Sequence, residues 1–265
     1  LSVLLALDVG NTETTVGLFQ GDHLAGHWRL TTTTARTPDE WAALLSAYLT
    51  NAGHAPSGVR AAVVASVAPS VTQSVCEGVT AVTGVAPVLV DASSRLPITL
   101  DVDEPLTVGA DRVVNTLAAV RLFERDTIVV DFGTATTFDC ITGDGRFIGG
   151  VIMPGIRTAS EELVRKTAKL PATELTPPPH VIGRRTEDCI RSGVLWGTAD
   201  AVDGLIRRIR AEWPVSGRND GQPFVVATGG LAPLVAPLTQ EIETVQPDLT
   251  LVGLRLAAEA LGLGW

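Results

Sequence analysis

Lysine is almost absent: Lys166 and Lys169 are the only two in 265 residues, and neither follows a glycine-rich loop. That excludes a P-loop kinase or ATPase, whose G-x-x-x-x-G-K-[ST] run sets a lysine against the phosphates. Cysteine is as sparse. Cys76, Cys140 and Cys189 stand far apart with no C-x-x-C pair, which speaks against a zinc site and a redox pair and fits a reducing compartment. No apolar run approaches the roughly 20 residues that span a bilayer, and Val3 to Leu7 is too short for a signal peptide. The expectation is a cytoplasmic protein with no membrane partner. Positive charge is also in deficit. At a formal net charge of −9 and without a basic stripe, no nucleic acid partner is expected. His23 and His27 could share a strand face, but a solvated hairpin explains them better than a metal site.

What the chain does have is an ample apolar complement, 45% of residues against 18% charged, and one phrase written twice. The first copy runs Asp8-Val9-Gly10-Asn11-Thr12-Glu13-Thr14-Thr15; the second runs Asp131-Phe132-Gly133-Thr134-Ala135-Thr136-Thr137. Each follows a β-prone apolar run, and each leads into a further strand and a Gly-Asp turn at Gly21-Asp22 or Gly143-Asp144. The copies lie close to half the chain length apart. An acid at a strand end, then glycine, then hydroxyls, suits a phosphate and its cation. Two such copies imply a duplicated fold with a nucleotide in the cleft between the halves.

Periodicity and turn residues support that reading. Strands are predicted at about 3–9, 14–20 and 24–31, a helix from Pro38 to about 52, a strand at 61–67, a helix at 69–83 and a short strand at 88–90. A helix at 108–123 follows and could act as a hinge. Then the order repeats: strands at about 127–131, 136–142 and 146–152, helices at 156–169 and 187–212, a strand at 224–227 and a closing helix at 251–261. The fold class is α/β, two halves of β-meander plus helices, with ligands expected outside the strand ends.

In the first loop, Gly10 allows close backbone approach and positive φ. Backbone N–H groups and the hydroxyls of Thr12, Thr14 and Thr15 can donate to phosphate oxygens, and Asp8 could hold Mg²⁺ directly or through water. The same residues make good hairpin turn chemistry, and it is the second copy that favours a functional role. Asp131, after four apolar-context residues, needs a cation or hydrogen bonds. Thr228-Gly229-Gly230 could let an adenine or ribose lie on the backbone, or could simply turn the chain. Gly149 to Ile156 could let backbone pass near a ligand, or could only shape the turn. Gly109-Ala110-Asp111-Arg112 opens a helix. Asp111 there either complements the helix dipole or acts as a general base, and Arg112 either pairs with an acid or clamps a carboxylate. Thr186, before Glu187 and Asp188, is an attractive helix N-cap.

With these pieces in order, the chain resembles the type III pantothenate kinases of bacteria, in the superfamily of acetate and sugar kinases, Hsp70 and actin. The likeness rests on D-x-G-N-T at 8–12, G-A-D-R at 109–112, D-F-G-T-A-T-T-F-D at 131–139, G-G-x-I-x-P-G at 149–155, A-K-L-P at 168–171, S-G at 192–193 and T-G-G-L-A at 228–232. It implies an actin-like ATPase fold: two duplicated ribonuclease H-like subdomains facing a central cleft, here 1–115 and 116–265. It implies that Asp8, Val9, Gly10, Asn11, Thr12, Glu13, Thr14 and Thr15 bind the ATP phosphates with Mg²⁺ near Asp8, and that Thr134 contacts ATP. It implies that Gly109, Ala110, Asp111 and Arg112 bind pantothenate, with Asp111 as base and Arg112 toward the carboxylate. Asp131 would hold the monovalent cation, K⁺ or NH₄⁺. Thr186 would reach pantothenate from the neighbouring subunit of a homodimer. The chain departs from the family pattern at Val102, where an aromatic residue is common, and at Glu13, where a small polar residue is common. A carboxylate at Glu13 would repel the nucleotide unless it points away or helps hold a cation. Competing readings are a phosphotransfer enzyme of the same superfamily acting on another small substrate, and a nucleotide-binding regulator without catalysis.

Overall fold

A computed structural model describes residues 2–214 and 222–265. The first three strands, β1 (Val3–Val9), β2 (Glu13–Gln20) and β3 (His23–Thr31), form an antiparallel meander. Helix α1 (Pro38–Asn51) starts at a complete capping box. The Thr37 hydroxyl accepts from the Glu40 amide, and the Glu40 carboxylate accepts from the Thr37 amide, with Pro38 at the first helical position. Strand β4 (Val59–Ser66) then runs parallel to β1, and after α2 (Pro69–Thr83) the short β5 (Val88–Val90) runs parallel to β4. The order across the sheet is β3-β2-β1-β4-β5.

After the two-residue strand β6 (Thr99–Leu100) and helix α3 (Ala110–Phe123), the pattern returns. Strands β7 (Thr127–Phe132), β8 (Ala135–Ile141) and β9 (Arg146–Pro154) form the second meander. Helices α4 (Ile156–Lys166) and α5 (Thr186–Glu212) follow, then β10 (Phe224–Thr228), the single turn α6 (Ala232–Val235), β11 (Thr244–Val245) and α7 (Leu249–Ala260). Strand β10 is parallel to β7, and β11 is parallel to β10. Among the strands of the second unit, the order β9-β8-β7-β10-β11 therefore matches β3-β2-β1-β4-β5 strand for strand. This is the ribonuclease H-like arrangement, present twice.

Alternation along the strands decides which faces are buried. In β1, Val3, Leu5, Leu7 and Val9 pack with Trp41, Leu45, Val75 and Val79 of α1 and α2. Leu4 and Ala6 point the other way, to Val114 and Leu117 of α3 and Leu254 and Ala257 of α7. In the second sheet, Ile128, Val130 and Phe132 pack with Leu195, Val202 and Ile206 of α5. At roughly 1.5–3 kcal/mol for each large apolar side chain fully buried, these three clusters supply the main drive to fold.

The chain divides differently from the expected boundary at residue 115. One unit holds residues 1–122 together with 249–265, and the other holds 123–248. The closing helix α7 lies against the first sheet because its buried Leu251, Leu254 and Ala257 complete that sheet's second face. It meets α3 closely: a Cβ on Gly253 would lie 2.1 Å from the Val114 carbonyl oxygen. Smaller departures concern ends. Helix α4 stops at Lys166 because Thr167 is extended (φ −121°, ψ 144°). Helix α3 begins at Ala110, since Pro105–Thr107 forms a separate 3₁₀ turn. Strands β6 and β11 and the turn α6 are too short to leave a periodic signature.

Candidate active site

Asp8 is the sixth residue of β1 and lies opposite Thr15 on β2 and Ala65 on β4. Period two places its side chain with those of Leu4 and Ala6, on the face covered by α3 and α7. Val9 and Thr14 belong to the opposite face. Both are fully buried: the Val9 carbonyl accepts from the Val67 amide at 3.0 Å, and the Thr14 hydroxyl shares a 2.8 Å hydrogen bond with that of Thr32. These two residues shape the loop from within, so the expectation that Thr14 offers a hydroxyl to phosphate is corrected. Asn11, Thr12 and Glu13 are exposed at the loop tip, and Thr15 lies part-buried on the Asp8 face. Gly10 is needed for close approach rather than positive φ: a Cβ there would lie 2.8 Å from the Glu13 carbonyl oxygen, which accepts the Gly10 amide. The Glu13 carboxylate meets Arg29 at 3.3 Å across the hairpin, which answers where that unexpected charge goes.

The segment Gly109 to Arg112 reaches the same end of the same unit. A Cβ on Gly109 would touch Val67, whose amide is bonded to Val9 at the end of β1. The Asp111 carboxylate accepts the Arg112 amide at 2.8 Å in the first turn of α3. Gly109 makes room for it, since a Cβ there would lie 2.5 Å from Asp111 Oδ1. Burial pushes the Asp111 carboxyl above the usual carboxylate range, while the Arg112 amide and guanidinium pull the other way. The structure thus brings Asp8, Thr15, Asp111 and Arg112 to one end of one unit.

In the second unit Asp131 holds the place of Asp8, opposite Thr137 on β8 and Thr228 on β10. The hairpin after it is one residue shorter. Three residues separate Phe132 from its partner Thr136, where four separate Val9 from Thr14. Thr134 occupies its exposed tip, and its carbonyl accepts from the Gly155 amide (3.1 Å) and the Thr158 hydroxyl (2.7 Å). Gly155 and Gly229 support this loop, roles the sequence left open. A Cβ on Gly155 would lie 2.3 Å from the Thr134 carbonyl oxygen. Gly229 has φ +89°, and its Cβ would lie 2.3 Å from Asp131 Oδ1. The signals that could have found them are the Pro154-Gly155 step and the glycine pair at 229–230, which mark where backbone turns or passes close to something.

The donor chemistry around Asp131 fits a hard monovalent cation. A carboxylate lies beside the buried Thr228 hydroxyl, which finds no partner among the described residues, and Gly229 leaves the carboxylate uncrowded. No group of three or more His, Cys, Asp or Glu side chains that could hold a metal occurs among the described residues, so hydroxyl, carbonyl or substrate oxygens must complete any cation's shell. Thr186 is exposed and is the first helical residue of α5. The cap is Arg185, with no side-chain capping bond, which corrects the expected N-cap by one position. No hydrogen bond among the described residues ties Thr186 to either loop. No described helix is long and apolar enough to cross a membrane.

The sequence model of one family, described as type III pantothenate kinase, matches residues 4–208. The chain is 43% identical over 259 residues to a type III pantothenate kinase of Thermomicrobium roseum, with 98% of each chain covered. Among solved structures, it resembles the activator of the 2-hydroxyisocaproyl-CoA dehydratase from Clostridium difficile with bound ADPNP. The TM-score is 0.56 at 14% identity, over 98% of this chain and 94% of that one. The ROK hexokinase of Thermus thermophilus gives a TM-score of 0.51 at 14% identity, over 96% and 98%. The fold shared with these is that of the actin-like ATPases.

Proposed function

Because the chain belongs to the type III pantothenate kinase family, we propose that it phosphorylates pantothenate with ATP to give 4′-phosphopantothenate, the first step of coenzyme A biosynthesis. The observation that carries this reading is the pair Asp8 and Asp111: two carboxylates on one face and at one end of the first sheet, one of them with raised proton affinity. Asp111 takes the proton of the primary hydroxyl as that oxygen attacks the γ-phosphorus. The new O–P bond forms as the bond to the β-phosphate oxygen breaks, and ADP leaves. A carboxylate that binds its proton more tightly than usual is better suited to this step.

Arg112 orients pantothenate through its carboxylate, a task for a guanidinium fork. The loop from Asp8 to Thr15 holds the phosphates through the exposed Asn11 and Thr12 and the part-buried Thr15, and Thr134 adds a contact to ATP. Mg²⁺ would be held near Asp8 through water, and K⁺ or NH₄⁺ at Asp131; both would neutralise phosphate charge, which is most of what phosphoryl transfer needs. Thr186 completes the pantothenate site of the other subunit in a homodimer.

The test is direct: incubate purified protein with pantothenate, ATP, Mg²⁺ and K⁺ and measure 4′-phosphopantothenate. Product that requires pantothenate, ATP and Mg²⁺, and rises with K⁺, is expected. Folded protein that makes none, with or without K⁺, refutes the reading. Phosphate release without an acceptor would point to a phosphatase instead.

A further inference from the structure

Helix α3 carries Asp111 at its start, and at its far end it walls a concavity that the proposed reaction does not use. The concavity has a volume of about 730 Å³ and lies wholly within the first unit, between α3, α7 and the loop joining β5 to β6. That is within the usual range for a small-molecule site. Its accessible apolar wall is Leu96 and Pro97, backed by the buried Leu117 and Leu256, and its rim carries Arg95 and Arg121. Among the described residues neither guanidinium has a hydrogen bond or an ion pair. The one acid on the rim, Glu259, is bonded to Arg255 on its own helix, and Arg255 also pairs with Asp22 at 2.8 Å. Two guanidiniums without a hydrogen bond or ion pair among the described residues therefore line one hollow on a protein of net charge −9.

Arg121 lies in the last turn of α3, where a cation also complements the helix's carbonyl end. Arg95 sits exposed in a loop, in the same hollow as Glu259 and Ala260 at the end of α7. Guanidiniums recognise carboxylate and phosphate by paired N–H donors, and the apolar wall beneath them suits an aliphatic body. We propose that this concavity binds an amphipathic anion, a carboxylate or phosphate head on a short aliphatic chain, with the head on Arg95 and Arg121 and the chain on Leu96 and Pro97. Arg121 lies ten residues beyond Asp111, about 15 Å along a helix that rises 1.5 Å per residue, so the site is separate from the base.

The test titrates octanoate and octyl phosphate into the full chain by calorimetry, with octyltrimethylammonium as the cationic control, and repeats this on Arg95→Ala, Arg121→Ala and the double variant. Both arginines are exposed, so each variant should stay folded, with Arg121→Ala melting slightly lower for the lost charge at the helix end. Expected is saturable one-to-one binding of at least one anion, with Kd below about 1 mM, weakened about tenfold by each substitution as a charge-assisted contact is removed. A saturating non-hydrolysable ATP analogue should leave that binding in place. Tighter binding of octanoate would identify a carboxylate ligand, and tighter binding of octyl phosphate a phosphate monoester. Binding of neither, equal binding of the cation, displacement by the ATP analogue, or affinity unchanged in the double variant overturns the proposal.

Discussion

Asp111 is asked to ionise where water reaches it poorly, and that has two opposed consequences. Burial raises its folded pKa above the ordinary 3.8, against the pull of the Arg112 amide and guanidinium. A carboxyl shifted that way binds its proton more tightly in the folded state. Its contribution to stability is present below the ordinary value and is lost as pH rises through the folded one. Asp111→Asn removes the ionisation and the proposed base together. We expect kcat to fall about 10²–10⁴-fold while the melting temperature at pH 8 rises above wild type, with the two proteins converging toward pH 4. Thermal unfolding and steady-state kinetics on the same preparations check this, and a variant that melts lower at pH 8 would show that the carboxylate is not strained by burial. Also at this scale, Thr14 and Thr15 are neighbours of the same type with opposite fates. Sequence shows two hydroxyls, but the β1–β2 register turns Thr14 into the core against Thr32 and leaves Thr15 beside Asp8.

At the scale of elements, α3 is held by α7, a helix from the other end of the chain. Gly253 permits the contact, with its missing Cβ only 2.1 Å from the Val114 carbonyl oxygen, and the Thr250 hydroxyl donates to buried Asn115 at 2.9 Å. Gly253→Ala must push the helices apart. A loss of about 1–3 kcal/mol is expected from such overpacking, together with reduced kcat because α3 carries Asp111. Urea unfolding alongside an activity assay reads both, and a variant with unchanged stability would mean that the helices slide freely. The strands and long helices were legible because their alternation and Pro38 at a first turn are local signals. The partner of α3 was not, since no local pattern says which sheet a closing helix returns to.

For the whole molecule, the duplication is the organising fact: two units of the same strand order, each with an aspartate at the same place in its first strand. The proposal that Thr186 serves the site of the neighbouring subunit has a consequence that depends on assembly. Mixing Asp111→Asn with Thr186→Arg, each inactive alone, should restore about a quarter of wild-type activity through mixed dimers, each with one intact site. Activity that stays absent after denaturation and refolding of the mixture, with dimers seen by analytical ultracentrifugation, would place both residues in one subunit's site or remove Thr186 from it.

By itself, the sequence determined the family and the repeated loop, and it singled out Asp8, Asp111 and Asp131 as candidate site acids, because glycine, hydroxyl and acid at fixed short spacings are local chemistry. Only the tertiary structure decided where α7 belongs, which threonine faces Asp8, and why Gly109, Gly155 and Gly229 stand bare beside Asp111, Thr134 and Asp131. Those facts concern atoms brought together from distant parts of the chain, and such contacts follow from strand register and helix packing rather than from any run of neighbouring residues.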